Sequence, residues 1–174
     1  MNARIAARAV LGLVILLALA LATLPARTAA LDQNDTSRLA DVNEAIKSFE
    51  NDVSSALHDL SPNDAEQIES YAYVQLNLEA AHERLNNIFM LVAVSVYMES
   101  SSDQRLIANV MHSQLLPQSK NYLNEKRNAI ASMAAAHPAS NVLAAYAARA
   151  STVLGDRAIP VLEDLYRKTG GLAP

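Results

Sequence analysis

The sequence predicts an all-α fold, an antiparallel up-down-up-down four-helix bundle whose third and fourth helices are kinked by proline. Three observations carry that prediction. Beyond residue 30, apolar residues recur at alternating three- and four-residue spacings, the period of one helical face. Glycine occurs there only at positions 155, 170 and 171, while alanine, leucine, glutamate and glutamine, all good helix formers, dominate. The stretches between periodic segments are short, and short connections make successive helices antiparallel.

Residues 1–30 stand apart from this pattern. Arg4 and Arg8 precede an apolar run from Ala9 to Leu24. Pro25 breaks the run, and Thr28-Ala29-Ala30 offers small residues for a cut before Leu31. This is the layout of a cleaved secretory signal peptide. At about 1.5 Å per residue the run reaches only about 24 Å, short of a ~30 Å bilayer core. The expectation is an exported protein, periplasmic or extracellular, with a single domain over 31–174 and no stable membrane anchor.

The first helix is expected over Thr36 to Leu60, with one stripe of Leu39, Val42, Ile46, Phe49, Val53, Ala56 and Leu60. Ser61 then reads as an N-cap with Pro62 at the first helical position, starting a second helix that runs to Glu99. Its seam reads Ile68, Tyr71, Gln75, Leu78, His82, Leu85, Phe89, Val92 and Val96. A third helix starts at Ser102 or Asp103 and ends near Ala135; Pro117 removes one of its backbone donors. A fourth runs from Ser140 to Lys168, carries Pro160, and stops at Gly170-Gly171, a C′ glycine signal. The Ala-rich stretches ASMAAA and VLAAYAARA predict close approach of the last two helices.

The chain holds no cysteine. Disulfides, thiolate zinc, iron–sulfur clusters, cysteine nucleophiles and covalent haem are thereby excluded. Without the three arginines at 4, 8 and 27, eleven basic residues face eighteen acidic ones, a net charge of −7. That balance argues against nucleic acid and anionic lipid as partners. The charge is also divided: residues 31–103 carry 14 acidic and 3 basic side chains, residues 104–174 carry 4 and 8. The two hairpins complement each other inside one bundle, or the acidic one offers a face to a basic partner.

Candidate sites are few. Glu79 and His82 have the Glu-x-x-His spacing that supplies metal ligands in some bundles, but no second copy of it occurs. His82 is expected to be a core histidine rather than a ligand, with metal binding as the alternative. A non-covalent haem held by His82 or His112 and a methionine (Met90, Met98 or Met111) is the other cofactor alternative. The segment Ile88 to Met98 has only Ser95 as a clearly polar residue. A bundle helix apolar on all sides for about three turns has to cover its outer face. Deep burial satisfies that need; so does a contact surface for a partner protein or a second copy, with Phe89, Met90, Val94, Tyr97 and Met98 as the contact residues. An apolar pocket beside Met90 and Met98 is a further possibility. No phosphate loop and no nucleophile elbow is present. The sequence therefore predicts a protein that acts by binding, without a cofactor; an enzyme whose site only the fold assembles is the remaining alternative.

Overall fold

The computed structural model describes residues 31–98 and 101–171. The expected signal peptide, residues 1–30, and Glu99, the expected end of the second helix, lie outside them. The described residues form four helical rods and no strand. The first two rods are α1 (Gln33–His58) and α2 (Ala65–Tyr97). The third is α3 (Ser101–Val110), a π-helical turn (Met111–Leu115) and α4 (Leu116–Ala136). The fourth is α5 (Asn141–Ala150), a π-helical segment (Ser151–Ala158) and α6 (Ile159–Gly170).

Helix α1 starts three residues before the expected Thr36 because Asp32 and Asp35 form a capping box. The Asp35 amide donates to Asp32 Oδ1 at 3.0 Å, and the Asp32 amide donates to Asp35 Oδ2 at 3.0 Å. The predicted stripe is the buried face: Leu39, Val42, Ile46, Phe49 and Val53 are buried, and Ala56 and Leu60 pack at its edge. Each fully buried side chain of this size contributes about 1.5–3 kcal/mol.

Helix α2 departs from expectation twice. Its N-cap is Asp64, not Ser61. The Ser61 amide donates to Asp64 Oδ2 at 3.1 Å and the Asp64 amide to Ser61 O at 2.9 Å, which closes a turn around Pro62 before the helix begins. The buried seam is Tyr71, Val74, Leu78, Ala81, Leu85, Ile88, Val92 and Ser95. It shares Tyr71, Leu78, Leu85 and Val92 with the prediction, but every alternate position lies one residue earlier. The core takes Val74 over Gln75 and Ala81 over His82, because a polar side chain there needs a buried partner. His82 moves to the flank, where 27% of its side chain is exposed.

In the third and fourth rods, a π-helical stretch stands where the sequence predicts a proline kink. Pro117 has no amide hydrogen for the Ser113 carbonyl, and its ring crowds that carbonyl. The residue before it responds: Leu116 N–H reaches Met111 O, five residues back. The arrangement recurs at Pro160, where Ile159 N–H reaches Leu154 O. Each wider turn accommodates one residue more than an α-turn and carries the chain past the proline with its carbonyls rearranged.

Contacts of the first and third rods with the fourth retreat along the fourth as they advance along the other. Asp35, Arg38 and Asp52 meet Lys168, Asp164 and Arg149. His112 and Lys120 meet Tyr166 and Glu163. Two apolar clusters, each drawing on all four rods, form the core. One is built around Ile46, Leu85, Met111, Leu116 and Leu154. The other holds Phe49, Leu78, Ile130 and Leu143, with Tyr146 against Phe49 and Tyr71. Ala134, Ala147 and Ala150 belong to this second cluster, so part of the Ala-rich sequence lies between the rods.

Gly170, the last residue of α6, is a glycine for a reason other than backbone freedom, since no described glycine adopts positive φ. A Cβ on it would stand 2.6 Å from His112 Cε1. That ring is fixed, stacked on Tyr166 at 4.0 Å between centroids, with its Nδ1 donating to the Tyr166 carbonyl at 2.9 Å. At Gly155 the new Cβ would meet Arg127 Nη1 at 2.9 Å, the end of a flexible side chain. Gly170→Ala is expected to lose about 1 kcal/mol net, overpacking exceeding the helical gain of alanine. Gly155→Ala is expected to be neutral or stabilising by up to about 1 kcal/mol. Thermal melts of the two variants check the contrast, and adding His112→Ala to Gly170→Ala recovers the loss.

Candidate functional site

The outer face of α2 near its C-terminus is apolar and open. Tyr97 is 76% exposed, Met90 53% and Val94 45%. Their spacing of four and three residues puts them on one stripe, opposite buried Ile88, Val92 and Ser95. The other two predicted contact residues lie differently: Phe89 is half-buried against the first core cluster, and Met98 caps the helix with its carbonyl accepting from Gln104 Nε2 at 2.7 Å. Two further apolar residues, not expected from the sequence, are exposed on the following helix. Leu106 and Val110 on α3 are 64% and 46% exposed, on the face opposite buried Ala108 and Met111. Their spacing of four with a buried residue midway was the available signal. Glu79 and Glu83, both exposed, continue the outer face of α2 toward its N-terminus.

Glu79 and His82 do not share a partner. Glu79 accepts from Gln75 Nε2 at 2.8 Å on the surface. His82 Nδ1 lies 3.1 Å from Oε2 of Glu50 on α1, a carboxylate buried to 7% side-chain exposure that also has Lys47 Nζ at 3.3 Å. That Oε2 receives no directed hydrogen bond from either. Among the described residues, no three His, Asp or Glu side chains are grouped to hold a metal ion. Met111 is fully buried in the core, while His112 is turned to Tyr166. Among the described residues, one open groove of about 440 Å³ lies between α4 and α6, floored by Leu116, Pro117 and Leu162, and another of about 440 Å³ lies beside Ser70 and His137. Neither is lined by Met90 or Met98.

At the opposite end of α2 a polar set converges that sequence spacing did not suggest. Glu66 and Ser70, one turn apart on α2, face His137 from the turn between α4 and α5. His137 Nδ1 lies 3.1 Å from Glu66 Oε1 and Nε2 lies 3.4 Å from Ser70 Oγ. Only the Glu66–Ser70 spacing was visible in the sequence; the histidine arrives from 67 residues away.

No described helix is long and apolar enough to cross a membrane. Comparison with protein-family models, with curated proteins and with solved structures finds no match to the chain.

Proposed function

We propose that the protein is an exported helical bundle that acts by binding another protein through the outer face of α2. The observation that carries this reading is the exposed stripe of Met90, Val94 and Tyr97 on α2. Large apolar side chains grouped at one end of a bundle favour a partner, because their exposure to water is unfavourable and single-site folding does not require it. The charge of the hairpin that carries the stripe indicates its chemistry. The 31–103 hairpin carries 14 acidic against 3 basic residues, which suits a partner surface that is apolar at its centre and basic at its rim. The export pattern in residues 1–30 supports an envelope or extracellular setting. The metal and haem alternatives at His82 have no comparable observation behind them.

Val94→Asp tests the reading. An exposed substitution leaves stability within about 0.5 kcal/mol, so the fold survives. Crosslinked complexes from the native compartment are expected to weaken at least tenfold in the variant and to weaken further at high salt. Sedimentation of the purified protein separates a second copy from a different partner. A monomer whose complexes are unaffected by Val94→Asp overturns the assignment.

A further inference from the structure

We infer that Ser70, His137 and Glu66 form a hydrolytic site for small carboxylic esters, at the end of the bundle away from the proposed binding face. Glu66 and Val94 are about 40 Å apart along α2 at 1.5 Å per residue. The two surfaces therefore act independently, and failure of one leaves the other standing.

The connectivity is that of a nucleophile, a base and an orienting carboxylate. The Glu66 carboxylate beside Nδ1, at 3.1 Å, favours the ring proton there. The neutral ring then presents its Nε2 lone pair to Ser70 Oγ at 3.4 Å. The hydroxyl currently has a second acceptor, the Glu66 carbonyl at 2.9 Å. Rotation about Cβ–Oγ transfers its hydrogen from that carbonyl to Nε2 without moving a heavy atom. His137 is held in a turn by its own backbone: its amide donates to Ala134 O at 3.2 Å and its carbonyl accepts from the Ser140 amide at 2.9 Å. Pro138 follows it and stiffens that turn.

The surroundings define the substrate class. The three side chains line a groove of about 440 Å³ with Tyr71, Pro138 and Leu143. Ser70 is only 3% exposed, so a short acyl group reaches Oγ and a bulky one does not. One wall is the first turn of α5. Ser140 and Leu143 line that wall, and Ser140 Oγ accepts from the Leu143 amide at 3.2 Å. A helix start of this kind provides positive potential for a developing oxyanion.

The reaction balances without a cofactor. Ser70 Oγ attacks the ester carbonyl carbon as its proton passes to His137 Nε2. The tetrahedral adduct expels the alkoxide, which takes that proton and leaves as the alcohol, with the acyl group now on Oγ. Water attacks this acyl ester, giving a proton to Nε2. Collapse returns the proton to Oγ and releases the carboxylic acid. Ser70 and His137 are the catalytic residues, and Glu66 is a positioning residue.

The test uses the full mature chain with p-nitrophenyl acetate as substrate and a small fluorophosphonate as covalent probe, the modified residue being located by mass spectrometry. The expected result is labelling at Ser70 and turnover that falls at least about 100-fold in both Ser70→Ala and His137→Gln. Glu66→Gln lowers turnover and shifts its pH profile, while Glu66→Asp restores part of it; melting is unchanged in both because Glu66 is exposed. Absence of label at Ser70 in the wild-type protein overturns the inference. So does turnover that persists undiminished in a folded Ser70→Ala or His137→Gln variant.

Discussion

Asp35→Ala is expected to destabilise the bundle by about 2–4 kcal/mol, lowering its melting temperature by roughly 4–16 °C. The Asp35 side chain is fully buried and serves two purposes. One oxygen takes the Asp32 amide in the capping box, at 3.0 Å. The other receives Lys168 Nζ from the last turn of α6 at 2.6 Å. Alanine deletes the acceptor for an N-terminal amide and leaves Lys168, 19% exposed at its side chain, with the more distant Asp32 at 3.7 Å. The loss of a partner from a mostly buried ion pair exceeds the value of the pair itself, because the remaining charge stays desolvated. Asp35→Asn keeps an oxygen for the cap and removes the charge, so it separates the two contributions. Thermal denaturation followed by circular dichroism measures both. A loss under about 0.5 kcal/mol in the alanine variant, the range of an ordinary surface change, would show that Asp35 fastens nothing.

This clasp between α1 and α6 marks the boundary of what the amino-acid pattern discloses. The stripe of α1 is legible because a mistake of one residue in its phase would expose Ile46 or Phe49 to water. The seam of α2 is less so: Ile88 and Phe89, or Ser95 and Val96, offer adjacent candidates, and only the polarity of Gln75 and His82 points to the correct alternate positions. Pro117 and Pro160 announce a disturbance of the backbone, since a missing amide is a local fact. That the chain answers with π-helical hydrogen bonds depends on neighbours that keep both halves packed. Contacts across rods are the least accessible. Asp35 with Lys168, Glu50 with His82, and Ser70 with His137 each join residues whose local sequence is unremarkable for a solvated helix. The outward placement of Met90, Val94 and Tyr97 is intermediate: an all-round apolar segment implies a covered outer face, but which residues stand outside follows only from the phase of the seam.

The same clasp predicts how stability changes with pH. The Asp35 amide, hydrogen-bonded to the Asp32 carboxylate, and the nearby Lys168 charge hold Asp32 below its ordinary value against the opposing effect of burial. Arg38, bonded to the Asp164 carboxylate, does the same there, helped by Lys168 and Arg167. The Lys120 hydrogen bond lowers Glu163 in the same direction on the exposed side of α6. Burial works to lower Lys168, but the Asp35 hydrogen bond and the charges of Asp35, Asp32 and Asp164 outweigh it and raise the group. A carboxyl lowered in the folded chain binds protons more readily when unfolded. Its contribution is complete above the unfolded value, about 4, and is lost as pH falls through the folded one. A raised lysine has the opposite sign: its contribution is complete below the unfolded value, about 10.4, and is lost as pH rises through the folded one. The melting temperature is therefore expected to be level between about pH 5 and 9, to fall steadily below about pH 4, and to fall again above about pH 10. Asp164→Asn removes the Arg38 pair from this set. It is expected to cost about 1 kcal/mol at pH 7, a modest figure because Arg38 is 36% exposed at its side chain. The variant and its parent should converge toward pH 2, where the parent's Asp164 is itself being neutralised. A melting temperature that holds from pH 7 to pH 2 would mean that none of these carboxylates is better bound in the fold than in the open chain. A gap between parent and variant that stays constant into acid would assign the Asp164 effect to packing instead of charge.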